Sequence, residues 1–490
     1  MKKVVIIGGG ISGLSSGIFS CQQGFETEIY EMNAMLGGEC TGWNRKGYHI
    51  DNCIHWLTGC NSGEKINDLW KNLNVLTQNI ELYREPYFYG LEMNGKKLYF
   101  WRDSERARNE FLNLAPEDKD EINLFFDCVK LAECIKPPCE KSPAHMNFIE
   151  FIKMGMTMKD AAKVSKEYGK ITVSELAKRF KNPYIKAMME NYFNENFLAI
   201  TLITSYAFFT SGSAAIPIGG STGIIQRMKA KFETLGGRVH LSSKVVKIHK
   251  IKNITDYVEL SSGEKVYADA FIWDADPWIL FNEFLGMEYI DKNLKKMYDC
   301  PNGYVANSGY QAAFGINSDE ELHLPSGSTI FPCKEYVVAN RKHNFCGMRL
   351  YDYDDSLFPR DKRVIQCNIL QYTDEYIYWK KLYDNREVYN NEKNRIALEL
   401  QERLEKQYPQ LKGKLVLLNT YSPVTFNRWC GAYNGGYMSF NALKGYKSLY
   451  VKSTIKGIKN LYLGSQWIQN SGGLPIAAAG GKFAVQQLKK

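Results

Sequence analysis

The chain has 490 residues, of which 44% are hydrophobic and 23% charged, with a formal net charge of +9. That length exceeds what one hydrophobic core usually supports, so two domains, or one domain carrying a large insertion, are expected. The positive charge is spread along the chain, and its densest stretches, Lys292 to Lys296 and Lys444 to Lys459, are not polybasic blocks, which argues against a nucleic-acid partner.

Twelve cysteines occur without a C-x-x-C pair, and no His/Cys spacing matches a zinc site, so no metal is expected. Met1-Lys2-Lys3 runs straight into an apolar strand and does not resemble a signal peptide, so a cytoplasmic protein with thiols kept reduced is expected. Aromatic residues make up 13% of the chain, enough for well-filled cores or for the lining of an apolar cavity.

Val4 to Ile7 reads as a buried strand of a parallel sheet. Gly8-Gly9-Gly10-Ile11-Ser12-Gly13 follows, then a small-residue helix to about Gln23 and a second strand from Glu26 to Tyr30, ending at Glu31. From Leu69 to Tyr192 the pattern is mostly helical, interrupted by Pro137-Pro138 and Pro143, with strand-like pieces near Tyr87 to Trp101. The run from Phe197 to Ile216 is apolar, but polar residues break it, so a buried or membrane-skimming helix is expected rather than a spanning one. A helix from about Thr222 to Leu235 then precedes short strands at Arg238 to Leu241, Val245 to Lys250, Tyr257 to Leu260 and Ala270 to Trp273. Further on, strands at Tyr310 to Ile316 and Val364 to Gln371 alternate with a helix near Asn391 to Tyr408, and the chain closes with strand Leu461 to Gly464, a glycine-rich loop and a helix from Leu474.

The expected fold class is α/β. A Rossmann-type domain is built from residues 1–68, 213–285 and 455–490, and an α+β substrate domain is inserted as a helical part over 69–212 and a sheet part over 286–454.

Gly8-x-Gly10-x-x-Gly13 stands between a strand and a helix, where the dinucleotide fingerprint requires it. Gly8 permits the tight turn, Gly10 lets backbone approach a pyrophosphate, and Gly13 lets helix pack closely on strand. Ile11 and Ser12 open the helix, whose N-terminus attracts the diphosphate. Glu31, 23 residues after Gly8, is placed to grip a ribose hydroxyl and disfavours a 2′-phosphate there, and hence NADP.

Gly37-Gly38, Gly47-Tyr48-x-Ile50-Asp51 and the tail then join the fingerprint. The stretches Gly8 to Trp56, Pro217 to Val246 and Leu461 to Leu488 together resemble the phytoene-desaturase-like flavoproteins, a group that also contains carotenoid isomerases and retinol saturases, within the wider superfamily of the monoamine oxidases. The resemblance covers about a third of the chain and implies FAD as the cofactor. It implies that Glu31 holds the adenosine ribose, that Gly37 and Gly38 lie against the pyrophosphate and that Val245 or Val246 meets the adenine. Gly464 and Ser465 would approach the ribityl chain, and Gly473-Leu474-Pro475 would set a helix start beneath the flavin ring. Many relatives carry Arg after the glycine pair, whereas this chain carries Glu39, with Arg45 as a candidate replacement for the phosphate contact.

His55 either donates a hydrogen bond to flavin or substrate, or moves a proton, or is a structural residue. Tyr433 and Tyr437 either clasp a substrate or belong to the core, and Arg428 is a candidate partner for an anionic group. The implied function is an FAD-dependent oxidoreductase acting on carbon–carbon bonds (desaturation, saturation or isomerisation) of a small lipophilic partner: a polyene, isoprenoid or fatty acid. A flavin amine oxidase and a non-enzymatic lipid or prenyl carrier of the dissociation-inhibitor type are the alternatives. Phe148 to Met158 and the run from Phe197 further suggest peripheral contact with a membrane surface. No second G-x-G-x-x-G follows a strand, and there is no G-x-S-x-G elbow or P-loop.

Overall fold

A computed structural model describes residues 1–318 and 320–488. The strand Lys3–Ile7 (β1) is buried on both faces, as its uninterrupted Val-Val-Ile-Ile run requires. It is followed by the helix Ile11–Gln22 (α1) and the strand Glu26–Tyr30 (β2). β1 pairs in parallel with β2, with Ile7 opposite Tyr30, and on its other side with Ala270–Trp273. Arg238–His240 extends the sheet beyond β2 and Leu461–Leu463 extends it beyond Ala270–Trp273, giving five parallel strands. Strands from both ends and the middle of the sequence thus meet in one α/β sheet.

The helices on this sheet pack unusually closely, because small residues face each other. A Cβ on Gly481 of the C-terminal helix Leu474–Gln487 would lie 2.3 Å from the Ser12 carbonyl oxygen. The absence of those side chains lets α1 and the C-terminal helix present their N-termini side by side.

The second large sheet has eight strands and is mainly antiparallel. Along its path run Leu415–Tyr421, Tyr304–Ile316, Val364–Gln371, Arg341–Tyr351, Gly327–Val338, Tyr87–Met93 and Lys96–Trp101, with Met438–Ala442 paired beside Tyr304–Ile316. The hairpin at Tyr87–Trp101 belongs to this sheet although about 200 residues of mostly other structure separate it from Tyr304; its link is a short parallel pairing of Gly90 with Thr329 and of Leu91 with Ile330. The long helix Arg386–Gln407 lies on the sheet and buries Ile396, Ala397, Leu400 and Leu404.

The apolar run from Phe197 divides into the helix Ala199–Thr210 and the strand Ala214–Pro217. Leu202, Ile203, Tyr206 and Phe209 are buried against Phe88, Phe100 and Phe126, so this helix is an interior element and offers nothing to a membrane. Its pattern is apolar nearly all round because it is surrounded by protein. Among the described residues no helix is long and apolar enough to cross a membrane.

Candidate cofactor and substrate site

The first strand-to-helix turn leaves backbone donors free for a ligand. Gly10 is the N-cap of α1, with no side-chain cap and no acidic residue in the first turn, so no side chain of the helix start caps the leading N–H groups. Gly13 is where helix meets strand: a Cβ there would stand 1.9 Å from the Gly8 carbonyl oxygen. Gly10 differs, because a Cβ there would meet protein only at 3.7 Å; the space above it belongs to whatever fills the cavity. Gly37 forms a parallel bridge with Gly10, donates its N–H to the Gly9 carbonyl at 2.9 Å, and holds a φ of +126° that favours glycine.

Glu31 is 5% exposed and accepts hydrogen bonds from the N–H of Gly9 at 2.7 Å and of Asn33 at 2.8 Å. Burial raises its carboxyl above the usual range, and those two backbone donors oppose the rise.

The C-terminal helix supplies a second open end. Gly473 is its N-cap, with a φ of +89°, no side-chain cap and no acid in the first turn. The Gly473 N–H donates to Gln466 Oε1 at 2.7 Å, which fixes the approach into Leu474 and Pro475. Beneath the two helix starts the Ser12 hydroxyl lies 2.5 Å from Asp274 Oδ1 and also reaches the Gly464 carbonyl. Burial pushes the Asp274 carboxyl up to about 6. Asp274 carries no motif in the sequence; its only signal is an acid just after an apolar parallel strand, at the carboxyl end where open α/β sheets place ligands.

Gly8, Gly10, Ile11, Ser12, Glu31, Gly37, Gly38, Ser465, Gly473, Leu474 and Pro475 all line one cavity of about 1860 Å³. Gly13 and Gly464 act from beneath its surface, by allowing the close packing just described. Val245 faces the cavity and is buried, whereas Val246 on the next position of the strand is 40% exposed and points away. Arg45 sits exposed at the tip of the Gly42–Arg45/Tyr48–Asp51 hairpin, outside the cavity, so the structure does not bring it to the phosphate site. The candidate set is therefore gathered into one place except for Arg45, Val246 and Tyr433.

Tyr433 lies outside the cavity wall. Its backbone N–H donates to Asp276 Oδ2 at 2.6 Å, and its ring packs with Trp278, Tyr298 and Phe440, so it is a core residue. Tyr437, four positions on, lines the cavity. Arg428 stacks over the Tyr383 ring at 5.3 Å and does not line it. His55 does line it, and its imidazole is kept neutral: burial, reinforced by the nearby Arg349 charge, pushes it down to about 3. At neutral pH it can donate or accept a hydrogen bond but carries no positive charge.

The far wall is the inner face of the eight-stranded sheet. Gln366 pairs with Arg349 and Arg349 with Ser328 across three adjacent strands, while Gln311 lies opposite Asn368. All five line the cavity. Arg349 is 5% exposed and held by Glu85 at 2.7 Å, the Ser328 hydroxyl at 3.1 Å and the His55 carbonyl at 3.0 Å. Trp56, Tyr192, Phe193, Phe208 and Phe345 supply aromatic surface around this polar row. The residues of this wall come from four strands, two loops and the helix Ala199–Thr210, and no local pattern announced them.

A dinucleotide fits these residues. The cradle has an uncapped helix end for a diphosphate, a carboxylate already oriented at the end of β2, and clearance above Gly10. The cavity also exceeds the roughly 300–1,000 Å³ usual for one small ligand, leaving room for a second molecule beside a cofactor.

Comparison with known proteins agrees. Residues 6–73 match the family described as an NAD(P)-binding Rossmann-like domain. The chain is 23% identical over 296 residues to a lycopene-forming phytoene desaturase of a Paracoccus species, an alignment covering 58% of this chain and 57% of that protein, less than two thirds of its length. It is 22% identical over 508 residues to a Danio rerio protein described as an inactive all-trans-retinol 13,14-reductase, covering 96% of this chain and 83% of the relative. A variant of putrescine oxidase has the same fold, with a TM-score of 0.60 at 12% identity, covering 100% of this chain and 98% of that one. The fold and cradle define a protein of the dinucleotide-binding α/β class. The chain thus resembles the desaturases, the retinol reductase-like proteins and, in fold, the amine oxidases among which these comparisons place it.

Proposed function

We propose that this protein is an FAD-dependent oxidoreductase acting on carbon–carbon bonds of a lipophilic, unsaturated substrate such as a polyene, isoprenoid or fatty acid. The observation that carries the reading is the single cavity running from two uncapped helix N-termini to an aromatic wall crossed by a polar row. Bound flavin would supply the redox chemistry. The chain supplies position and environment: Glu31 and the start of α1 hold the nucleotide end, and the start of the C-terminal helix favours negative charge near Leu474. The aromatic wall excludes water from an apolar chain, and Ser328, Gln311 and Asn368 offer hydrogen bonds to a polar end of it. The relatives named for phytoene and retinol support an extended unsaturated substrate.

A membrane surface is the proposed source of that substrate. On the helix Phe148–Thr157, Phe148 is 79% exposed, Ile149 65%, Phe151 51%, Ile152 45% and Met156 68%. The exposed Lys153, Lys159, Lys163 and Lys166 follow in the same segment, as expected for contact with anionic headgroups. Lys153, Met154 and Met158 also line the cavity, so lipid held here would meet its mouth.

The test is anaerobic incubation of FAD-loaded protein with candidate polyenes and fatty acids while the flavin absorbance is followed. Peroxide release from amines without any flavin response to unsaturated lipids would replace this reading by an amine oxidase. A folded, colourless protein that takes up no FAD would favour a lipid carrier. Co-sedimentation with phosphatidylserine vesicles is expected to fall about tenfold when Phe148, Phe151 and Met156 become Ser, and equal recovery would remove the membrane from the proposal.

A further inference from the structure

Two acids flank the dinucleotide cradle, and their surroundings are opposite. Glu31 is met by two backbone N–H donors. Glu39 lies two residues beyond Gly37, the partner of Gly10 at the open end of α1, and lines the same cavity. Both of its carboxylate oxygens are shielded and, among the described residues, meet no N–H or O–H donor, the Cys430 thiol being the one group that lends a hydrogen bond. The titratable groups facing it are Cys430 at the end of helix Pro423–Cys430, Cys53 in the loop after Tyr48–Asp51, and Tyr437, with the Glu31 charge also felt at Cys430. No Lys or Arg among the described residues contributes to its electrostatics.

An ionised carboxylate in such a place has no countercharge and only a weak thiol donor, and the ligand the cradle attracts is itself an anion. Two negative groups held close together, one of them buried, disfavour each other. A protonated acid is different, because it has an O–H to give.

We propose that Glu39 meets bound FAD as a neutral carboxylic acid and donates a hydrogen bond to the cofactor. The inference rests on the FAD reading above. Burial already pushes this carboxyl up to about 8 in the protein without cofactor. Below that pH the acid is ready for the cofactor. Above it, FAD loading must draw a proton from solution, so affinity falls as pH rises.

The test measures the FAD dissociation constant by flavin fluorescence from roughly pH 6.5 to 9.5, for the unaltered protein and for Glu39→Gln, with circular dichroism to confirm folding. The unaltered protein is expected to bind evenly at the low end and to weaken towards about tenfold per pH unit above pH 8, while Glu39→Gln stays flat. Proton uptake on adding FAD near the upper limit, read with an indicator dye in weak buffer, should approach one per site and needs no variant. Identical pH profiles, or binding without proton uptake at high pH, would overturn the role of Glu39 while leaving the FAD reading intact. If folded protein of neither form binds FAD at any pH, both fail together.

Discussion

The dinucleotide cradle and the sheet wall face each other across one cavity, yet they are built by different means. The cradle is mostly backbone, in which glycines remove obstacles and two helix ends supply donors, with the Glu31 carboxylate held at its edge. The wall consists of side chains from distant strands, with a buried ion pair, Glu85 and Arg349, at its centre. A cradle made of backbone binds what any dinucleotide offers. A wall made of side chains can differ from relative to relative without disturbing the fold, which is why the cofactor is easier to read than the substrate.

The largest expected effect lies in the wall. Arg349→Met leaves Glu85 buried without its partner and should cost about 3–5 kcal/mol in urea unfolding, whereas the double change with Glu85→Leu should recover most of it. Gly13→Ala brings a Cβ against the Gly8 carbonyl and should cost about 1–3 kcal/mol together with loss of retained FAD. If it cost more than Arg349→Met, the cradle would be the more fragile side and the contrast would reverse.

His55 gives a pH signature. Its folded value is depressed from 6.5 to about 3, so neutral His55 supports the fold above the unfolded value, and that support is lost as pH falls from about 6.5 towards 3. His55→Gln should lessen the fall in urea midpoint over that window by about 1–3 kcal/mol, and an unchanged fall would show that the imidazole is not desolvated. Glu31→Gln should weaken FAD binding about tenfold, as a charge-assisted contact is reduced to a neutral one. The smallest effects are expected outside the cavity: Arg45→Ala should stay within about 0.5 kcal/mol in stability, with unchanged FAD affinity. Any loss of cofactor there would restore Arg45 as a phosphate ligand.

Much of the cradle was legible because its requirements are local. The spacing Gly8-x-Gly10-x-x-Gly13 between a strand and a helix, with Glu31 at the end of the next strand, constrains φ, ψ and distance within about thirty residues. The helix start at Gly473-Leu474-Pro475 was readable for the same reason. The Phe197 run was misleading as a candidate membrane element, since an all-round apolar helix looks alike whether protein or lipid surrounds it; the exposed apolar face is on Phe148–Thr157 instead.

The sequence by itself determined the shape of a dinucleotide cradle between β1 and α1, because backbone geometry follows from residue type over short spans. Only the tertiary structure decided which side chains share the cavity: Tyr437 and not Tyr433, Val245 and not Val246, and the row Gln366, Arg349 and Ser328 assembled by strand register. It also decided which groups surround Glu39 and so push its carboxyl upward. A carboxyl's charge is set by the donors, cations and water around it, and those neighbours come from Cys430, Cys53 and Tyr437, at distances along the chain that no local pattern spans.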